Sequence, residues 1–97
     1  MTALETINSS SRLTIIPSDG SVYLDQGVYL DLDLSTCNIP ADVHALQYKP
    51  QLGFGWVEYV EPVNPFTDIK KPNEQLTEVP QWAINCVNVW LQAHNNV

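Results

Sequence analysis

The stretch from Pro80 to His94 is apolar around most of a helix's circumference, and no other part of the chain limits the possible folds as tightly. On an ideal helix turning about 100° per residue, Gln81, Asn85, Asn88, Gln92 and Asn95 gather in one narrow polar sector. Trp82, Ala83, Ile84, Cys86, Val87, Val89, Trp90, Leu91 and Ala93 cover an arc of roughly 220°, against the stripe of about 100° that suffices for a helix on the surface of its own domain. A helix of this kind requires two neighbours. The rest of this small chain is one, and the expected second is another protein or a second copy.

A chain of 97 residues is one domain, close to the size at which a single core is adequate but not generous. Hydrophobic residues make up 44% and charged residues 15%, which specifies a folding sequence poor in solubilising charge. The net charge of -7 sets eleven acids against Arg12, Lys49, Lys70 and Lys71. Such a field repels phosphate backbones, so nucleic acid is not an expected partner. No apolar run approaches the ~20 residues that span a bilayer, so no membrane is expected either. Met1 to Ser11 lacks the basic and apolar regions of a signal peptide and reads as a flexible polar lead-in, with synthesis in the cytosol.

Strands come first and the helix last. Arg12 to Ile16 is a β-rich run stopped by Pro17, and Ser18-Asp19-Gly20 supplies turn chemistry. Ser21 to Leu24 and Val28 to Leu30 form a hairpin about Asp25-Gln26-Gly27, where the glycine is free to take positive φ. From Leu30 to Ser35 the leucines alternate with acids, which predicts an extended edge strand or a strand-like loop with Leu30, Leu32 and Leu34 on one face. Val43 to Tyr48 and Phe54 to Val60 form a second hairpin, with Lys49 to Gly53 as its loop and Gly53 and Gly55 marking a bulge or close approach. Pairing there would bring Leu46 or Tyr48 near Trp56.

Glu61 to Lys71, with Pro62 and Pro65, has neither helical nor strand period and reads as a connection. Thr77-Glu78-Val79-Pro80 is a helix entry: proline fits the first turn and Glu78 the positive end of the dipole. The predicted class is therefore α+β, a small antiparallel sheet of short hairpins followed by one C-terminal helix over about 78–94. The lead-in covers 1–11 and the domain 12–97. No internal repeat is visible, since the two hairpins share no residue pattern.

The residues offer little chemistry. His44 stands alone in a strand and His94 in the last helical turn, neither near a serine, cysteine or carboxylate at a catalytic spacing. Asp25, Asp31 and Asp33 lack the order of a calcium loop and read as a solvated face. Cys37 and Cys86 match no zinc spacing; Cys86, between Trp82 and Trp90, reads as a small buried hydrophobe, with a disulfide to Cys37 as the alternative. No catalytic residue, metal or cofactor is therefore expected, and an enzyme is the least favoured class.

Large residues must close so small an interior, which assigns Trp56 and Trp90 to the core, Trp90 at the middle of the helix's apolar arc. The arc's margins are the candidate partner-binding residues: Ile84, Val87 and Leu91 along one edge, Trp82 and Val89 along the other. The sequence does not choose between the edges.

Several segments resemble, in the right order, a family of small tailed-bacteriophage proteins associated with tail fibres. They are Leu13-Thr14-Ile15-Ile16-Pro17-Ser18-Asp19-Gly20, the run from Ile39 to Tyr48, Gly55-Trp56-Val57-Glu58-Tyr59, Pro72-Asn73-Glu74 and Pro80-Gln81-Trp82-Ala83. The likeness runs from Leu13 to about Trp90, with Glu61 to Lys71 as an insertion. It implies a tail-fibre assembly chaperone or accessory that binds the C-terminal part of a trimeric fibre and works in the host cytoplasm during assembly. Self-association is a further expected contact. The alternative it implies is a permanent virion component of the fibre or baseplate.

Overall fold

Pro17-Ser18-Asp19-Gly20 and Pro50-Gln51-Leu52-Gly53 build the same turn twice. Proline fixes its own φ and holds the residue before it extended, which ends a strand; Ile16 (φ -120°, ψ 96°) and Lys49 (φ -113°, ψ 97°) are those residues. One turn of 3-10 helix follows, closed by a left-handed glycine, Gly20 at φ 60° and Gly53 at φ 59°. In each turn the glycine N–H donates to the proline carbonyl at 3.1 Å. What the two hairpins share is turn punctuation, while the flanking strand residues differ, as Ile16 and Lys49 do.

The computed structural model describes residues 1–95, so the last two residues of the predicted 12–97 domain lie outside the described residues. Along the chain run helix α1 (Ala3–Asn8), strands β1 (Leu13–Ile16), β2 (Ser21–Leu24), β3 (Gly27–Tyr29), β4 (Val43–Lys49), β5 (Phe54–Tyr59) and β6 (Glu74–Leu76), and helix α2 (Gln81–Asn95). The strands form one antiparallel sheet in the order β3-β2-β1-β4-β5-β6, with α2 on one face, an α+β fold.

The register makes the sheet nearly two-fold symmetric. At its centre Thr14 pairs with Gln47, flanked by Leu13 with Tyr48 and Ile15 with Leu46. Moving outward, Thr14 faces Tyr23 as Gln47 faces Trp56, and Tyr23 faces Val28 as Trp56 faces Gln75. Two three-stranded units, β1–β3 and β4–β6, therefore meet along β1 and β4 about the Thr14–Gln47 pair.

Because side chains alternate along a strand, one face carries Leu13, Ile15, Val22, Leu24, Leu46, Tyr48 and Val57, all buried. Ala83, Cys86, Val87 and Trp90 of α2 pack onto it, as do Ala3 and Ile7 of α1. Trp90 donates its indole N–H to the Gly27 carbonyl at 3.2 Å and meets Tyr29 edge-on at 5.7 Å. His94 stacks on Trp90 at 4.6 Å with its Nδ1 3.1 Å from the Tyr29 hydroxyl, so it closes the open side of the indole.

Residues 1–11 are not a flexible lead-in. Thr2-Ala3-Leu4-Glu5 is a capping box, in which the Thr2 hydroxyl accepts from the Glu5 N–H at 3.1 Å and the Glu5 carboxylate accepts from the Thr2 N–H at 2.9 Å. The resulting helix is too short to persist alone; contact with α2 and burial of Ile7 hold it. Ser11 then ties the segment to the β2–β3 turn through its N–H and hydroxyl, which donate to Asp25 at 2.7 and 2.9 Å.

Three local expectations also change. Leu30 to Ser35 is a loop, because Asp31 takes φ 57° and the Leu32 N–H bonds back to the Gly20 carbonyl at 2.9 Å; Leu30 ends exposed and Leu34 buried. Gly27 lies in β3 and not at positive φ. Strand β6 was not foreseen, since Glu74-Gln75-Leu76 has no apolar alternation and pairs only because β5 presents an edge. The close approach at Gly55 does occur: a Cβ there would lie 2.8 Å from Tyr48 Cα.

Ile7→Ala should lower the unfolding free energy by about 3 kcal/mol, whereas Leu4→Ala on the exposed side of α1 should cost under about 1 kcal/mol; urea titration compares them. Gly53→Ala should cost about 1–2 kcal/mol for its left-handed φ. Gly20→Ala should cost more, because its Cβ would also press on the Leu32 backbone nitrogen at 2.8 Å.

Candidate interaction surface

The helix α2 uses more of its apolar arc inside its own domain than its sequence implies. The sheet covers one flank, and α1 lies against another. Val87, expected at a partner edge, is 0% exposed and belongs to the core. Trp82, Ile84, Val89 and Leu91 are half-buried and pack against that core. The physical reason is α1: an N-terminal helix fills the second berth that an unfilled arc would have left for a partner. Leu91 still borders a shallow cavity of about 250 Å³ along with Met1, Thr6, Trp90 and His94.

Trp90 is a core aromatic, as expected, but Trp56 is not. Leu46 pairs with Val57 and Tyr48 with Gly55, which puts Trp56, paired with Gln47, on the opposite face. There it is half-buried, tilted against Phe54 at 6.0 Å, with its indole N–H donating to Glu58 at 3.0 Å. Across this helix-free face runs the row Val28, Tyr23, Thr14, Gln47, Trp56 and Gln75, one residue from each strand. Period two alone does not say which face of a hairpin a helix will cover; the burial of Val57 and Leu46 settles it.

The strongest surface feature is one that sequence reasoning passed over as a connection. Between β5 and β6, residues 60–73 form an arm at the position where the first unit has only the Asp25-Gln26 turn. Val63, Phe66 and Ile69 are 102%, 97% and 94% exposed, with no contact that hides them. Val60, half-exposed, leads the same series at a spacing of three. That repeat was the signal available in the sequence, matching neither the helical nor the strand period.

The arm is nonetheless shaped. At its tip the Asn64 side chain accepts from the Phe66 N–H at 3.1 Å and the Asn64 carbonyl from the Asp68 N–H at 2.8 Å. Pro62 and Pro65 further restrict the backbone. At its neck Lys70 pairs with Glu61 at 2.8 Å and Lys71 with Asp42, while the Val60 N–H donates to the Asp42 carbonyl at 2.9 Å. The Lys71 ammonium also sits over the Tyr59 ring at 4.9 Å, and the Tyr59 hydroxyl donates to Glu74 at 3.1 Å. Hydrogen bonding to Lys71 holds the Asp42 carboxyl below its ordinary range and raises Lys71 in turn; burial, then the bond to Glu74, pushes Tyr59 up. Two of the chain's four basic side chains are thus spent bracing one loop.

His44 and the three aspartates occupy separate surroundings. His44 is exposed where the β4–β5 register slips between Val43 and Ala45. Asp25 binds Ser11, Asp33 binds the Ser35 hydroxyl at 2.6 Å, and Asp31 borders a pocket with Ser18, Asp19, Ser21 and Tyr23. Among the described residues no group of three His, Cys, Asp or Glu side chains is placed to hold a metal ion, and no helix is long and apolar enough to cross a membrane. What the arrangement offers is apolar contact, from the arm and the helix-free face.

Comparison of the chain with protein-family models, with curated proteins and with solved structures finds no match.

Asp42→Asn should speed amide hydrogen exchange across residues 60–72 while leaving the exchange of β1 and β4 unchanged. Acid should likewise lower the arm's protection relative to the intrinsic exchange rate at the same pH. The contribution of a carboxylate whose folded pKa is lowered is whole above the ordinary carboxylate range and lost as pH falls through the lowered value, so the arm should loosen before the sheet in a low-pH exchange series.

Proposed function

We propose that this chain is a bacteriophage tail-fibre assembly factor, a chaperone-like accessory that holds the C-terminal part of a trimeric fibre through apolar contact. The observation that carries the reading is the braced arm with Val63, Phe66 and Ile69 in open solvent. A loop that serves only to connect strands has no need of three large apolar side chains, nor of two ion pairs at its base. Burying each such side chain against a partner is worth about 1.5–3 kcal/mol, and an arm shaped beforehand loses less conformational entropy on docking.

The chemistry of the partner follows from the charges. The tip from Val63 to Thr67 is uncharged, while the chain as a whole carries -7. Two copies repel, so a neutral or basic apolar surface suits the arm better than a second copy does. A fibre segment awaiting trimerisation has such unpaired apolar and strand-edge surface. The helix-free face, with Tyr23, Phe54 and Trp56, and the half-buried margin of α2 at Trp82, Ile84, Val89 and Leu91 are the contacts proposed to support the arm. The identity of the partner as a fibre comes from the resemblance of the segments between Leu13 and Trp90, and the host cytoplasm during assembly is the proposed place of action.

Co-expression with the fibre encoded beside it should give a complex that survives affinity capture. Phe66→Asp combined with Ile69→Asp should reduce capture about tenfold or more with an unchanged thermal midpoint, because neither side chain supports the fold. A fibre that trimerises in soluble form without this chain would overturn the chaperone role, and stoichiometric presence in purified virions would make the protein a structural subunit.

A further inference from the structure

Cys37 and Cys86 lie far apart in sequence and together in the fold. Cys37 belongs to the irregular segment 30–42, which carries the chain from the edge strand β3 to the central strand β4. That segment is hydrogen-bonded to α2: the Asn85 side-chain amide donates to the Cys37 carbonyl at 3.1 Å. Cys86 is the next residue of the helix. Both cysteines are free thiols, 1% and 0% exposed, within the one hydrophobic cluster that also holds Leu34 and Val87. Burial, reinforced by the neighbouring Cys37 thiol, pushes the Cys86 thiol well above its ordinary range, so Cys86 is quiescent while the fold is closed.

We propose that Cys37 and Cys86 are a redox-convertible staple, two packed thiols under reducing conditions and an intramolecular disulfide once the chain meets a low-molecular-weight disulfide such as oxidised glutathione. Opening of segment 30–42 exposes Cys37 first, since it lies on an irregular connection, its backbone held by the Asn85 bond and the Leu34 turn, whereas Cys86 lies within a regular helix. Its thiolate attacks one sulfur of glutathione disulfide and expels a glutathione thiolate. As the segment closes, Cys86 loses its proton to solvent and its sulfur displaces the second glutathione from Cys37. In sum, two protein thiols and one glutathione disulfide become one protein disulfide and two glutathiones.

The bond closes a loop over residues 37–86, which contains β4, β5, the arm and β6. Removing that much freedom from the unfolded chain favours the folded state, and it fastens the irregular segment 30–42 to the helix that carries the core. A reading as two ordinary core residues predicts no such change. This inference is independent of the proposed fibre partner.

The test uses the intact chain, refolded from urea in a glutathione redox buffer and compared with a dithiothreitol-treated half of the same preparation. Cleavage after Lys70 separates the two cysteines, so the expected product is peptide 13–70 linked to the Cys86 peptide, from a monomer about 2 Da lighter than the reduced chain. Its thermal midpoint should exceed that of the reduced half by on the order of 10 °C. Persistent glutathione adducts, disulfide-linked dimers, two free thiols counted in denaturant, or a linked chain with no gain in midpoint would each overturn the proposal. Because both halves are wild type, no variant has to fold for the result to count.

Discussion

The seating of α2 between the sheet and α1 is the constraint on which the rest of the molecule depends. The whole apolar arc of α2, from Trp82 round to Leu91, cannot be satisfied by a sheet face alone, since it is wider than a sheet covers. The capped N-terminal helix supplies the missing side with Ala3 and Ile7. Trp90 ties α2 to β3 through its bond to Gly27 and its edge contact with Tyr29, with His94 of its own helix stacked on the indole. Ser11 and Asp25 then close the circuit from α1 back to the sheet.

The near two-fold sheet explains where the chain is free to vary. Both units use a proline to end one strand and a left-handed glycine to begin the next, and both pair in the same register about Thr14 and Gln47. Helices cover one face and leave the other with its polar and aromatic row. At the β2–β3 position the connection is tight; at the matching β5–β6 position the arm grows out, rooted in β4 by the Asp42 bonds. Insertion there leaves the core undisturbed, because no core residue lies between Tyr59 and Leu76. An arm at a sheet edge can therefore carry interaction chemistry that the packed interior could not tolerate.

Electrostatics and hydrophobicity divide the labour at that arm. Surface ion pairs contribute little to global stability, yet at the neck they set the direction of a loop whose tip is held by its own Asn64 bonds. The apolar tip supplies contact energy only when a partner covers it. Shape and exposed apolar surface thus reside in different residues, Lys70 and Lys71 with their acids on one side and Val63, Phe66 and Ile69 on the other.

Much of the architecture was legible in the residues. Runs rich in β-branched and aromatic residues located β1, β2, β4 and β5, Pro17 and Pro50 marked strand ends, and the apolar arc marked α2 and the burial of Trp90. The Thr2-Ala3-Leu4-Glu5 capping box was also there to be read, but a short helix gains its stability from packing that local sequence does not contain. By itself, then, the sequence determined the α+β class, the strand ends and a helix that needs two neighbours, because propensity, turn chemistry and periodicity act between residues close in the chain. Only the tertiary structure decided that α1 is the second neighbour, that Val87 faces inward and Trp56 outward, that Cys37 meets Cys86, and that the exposed apolar surface is concentrated in the arm. Those outcomes depend on which faces meet across distant segments, and burial is a property of the assembled whole.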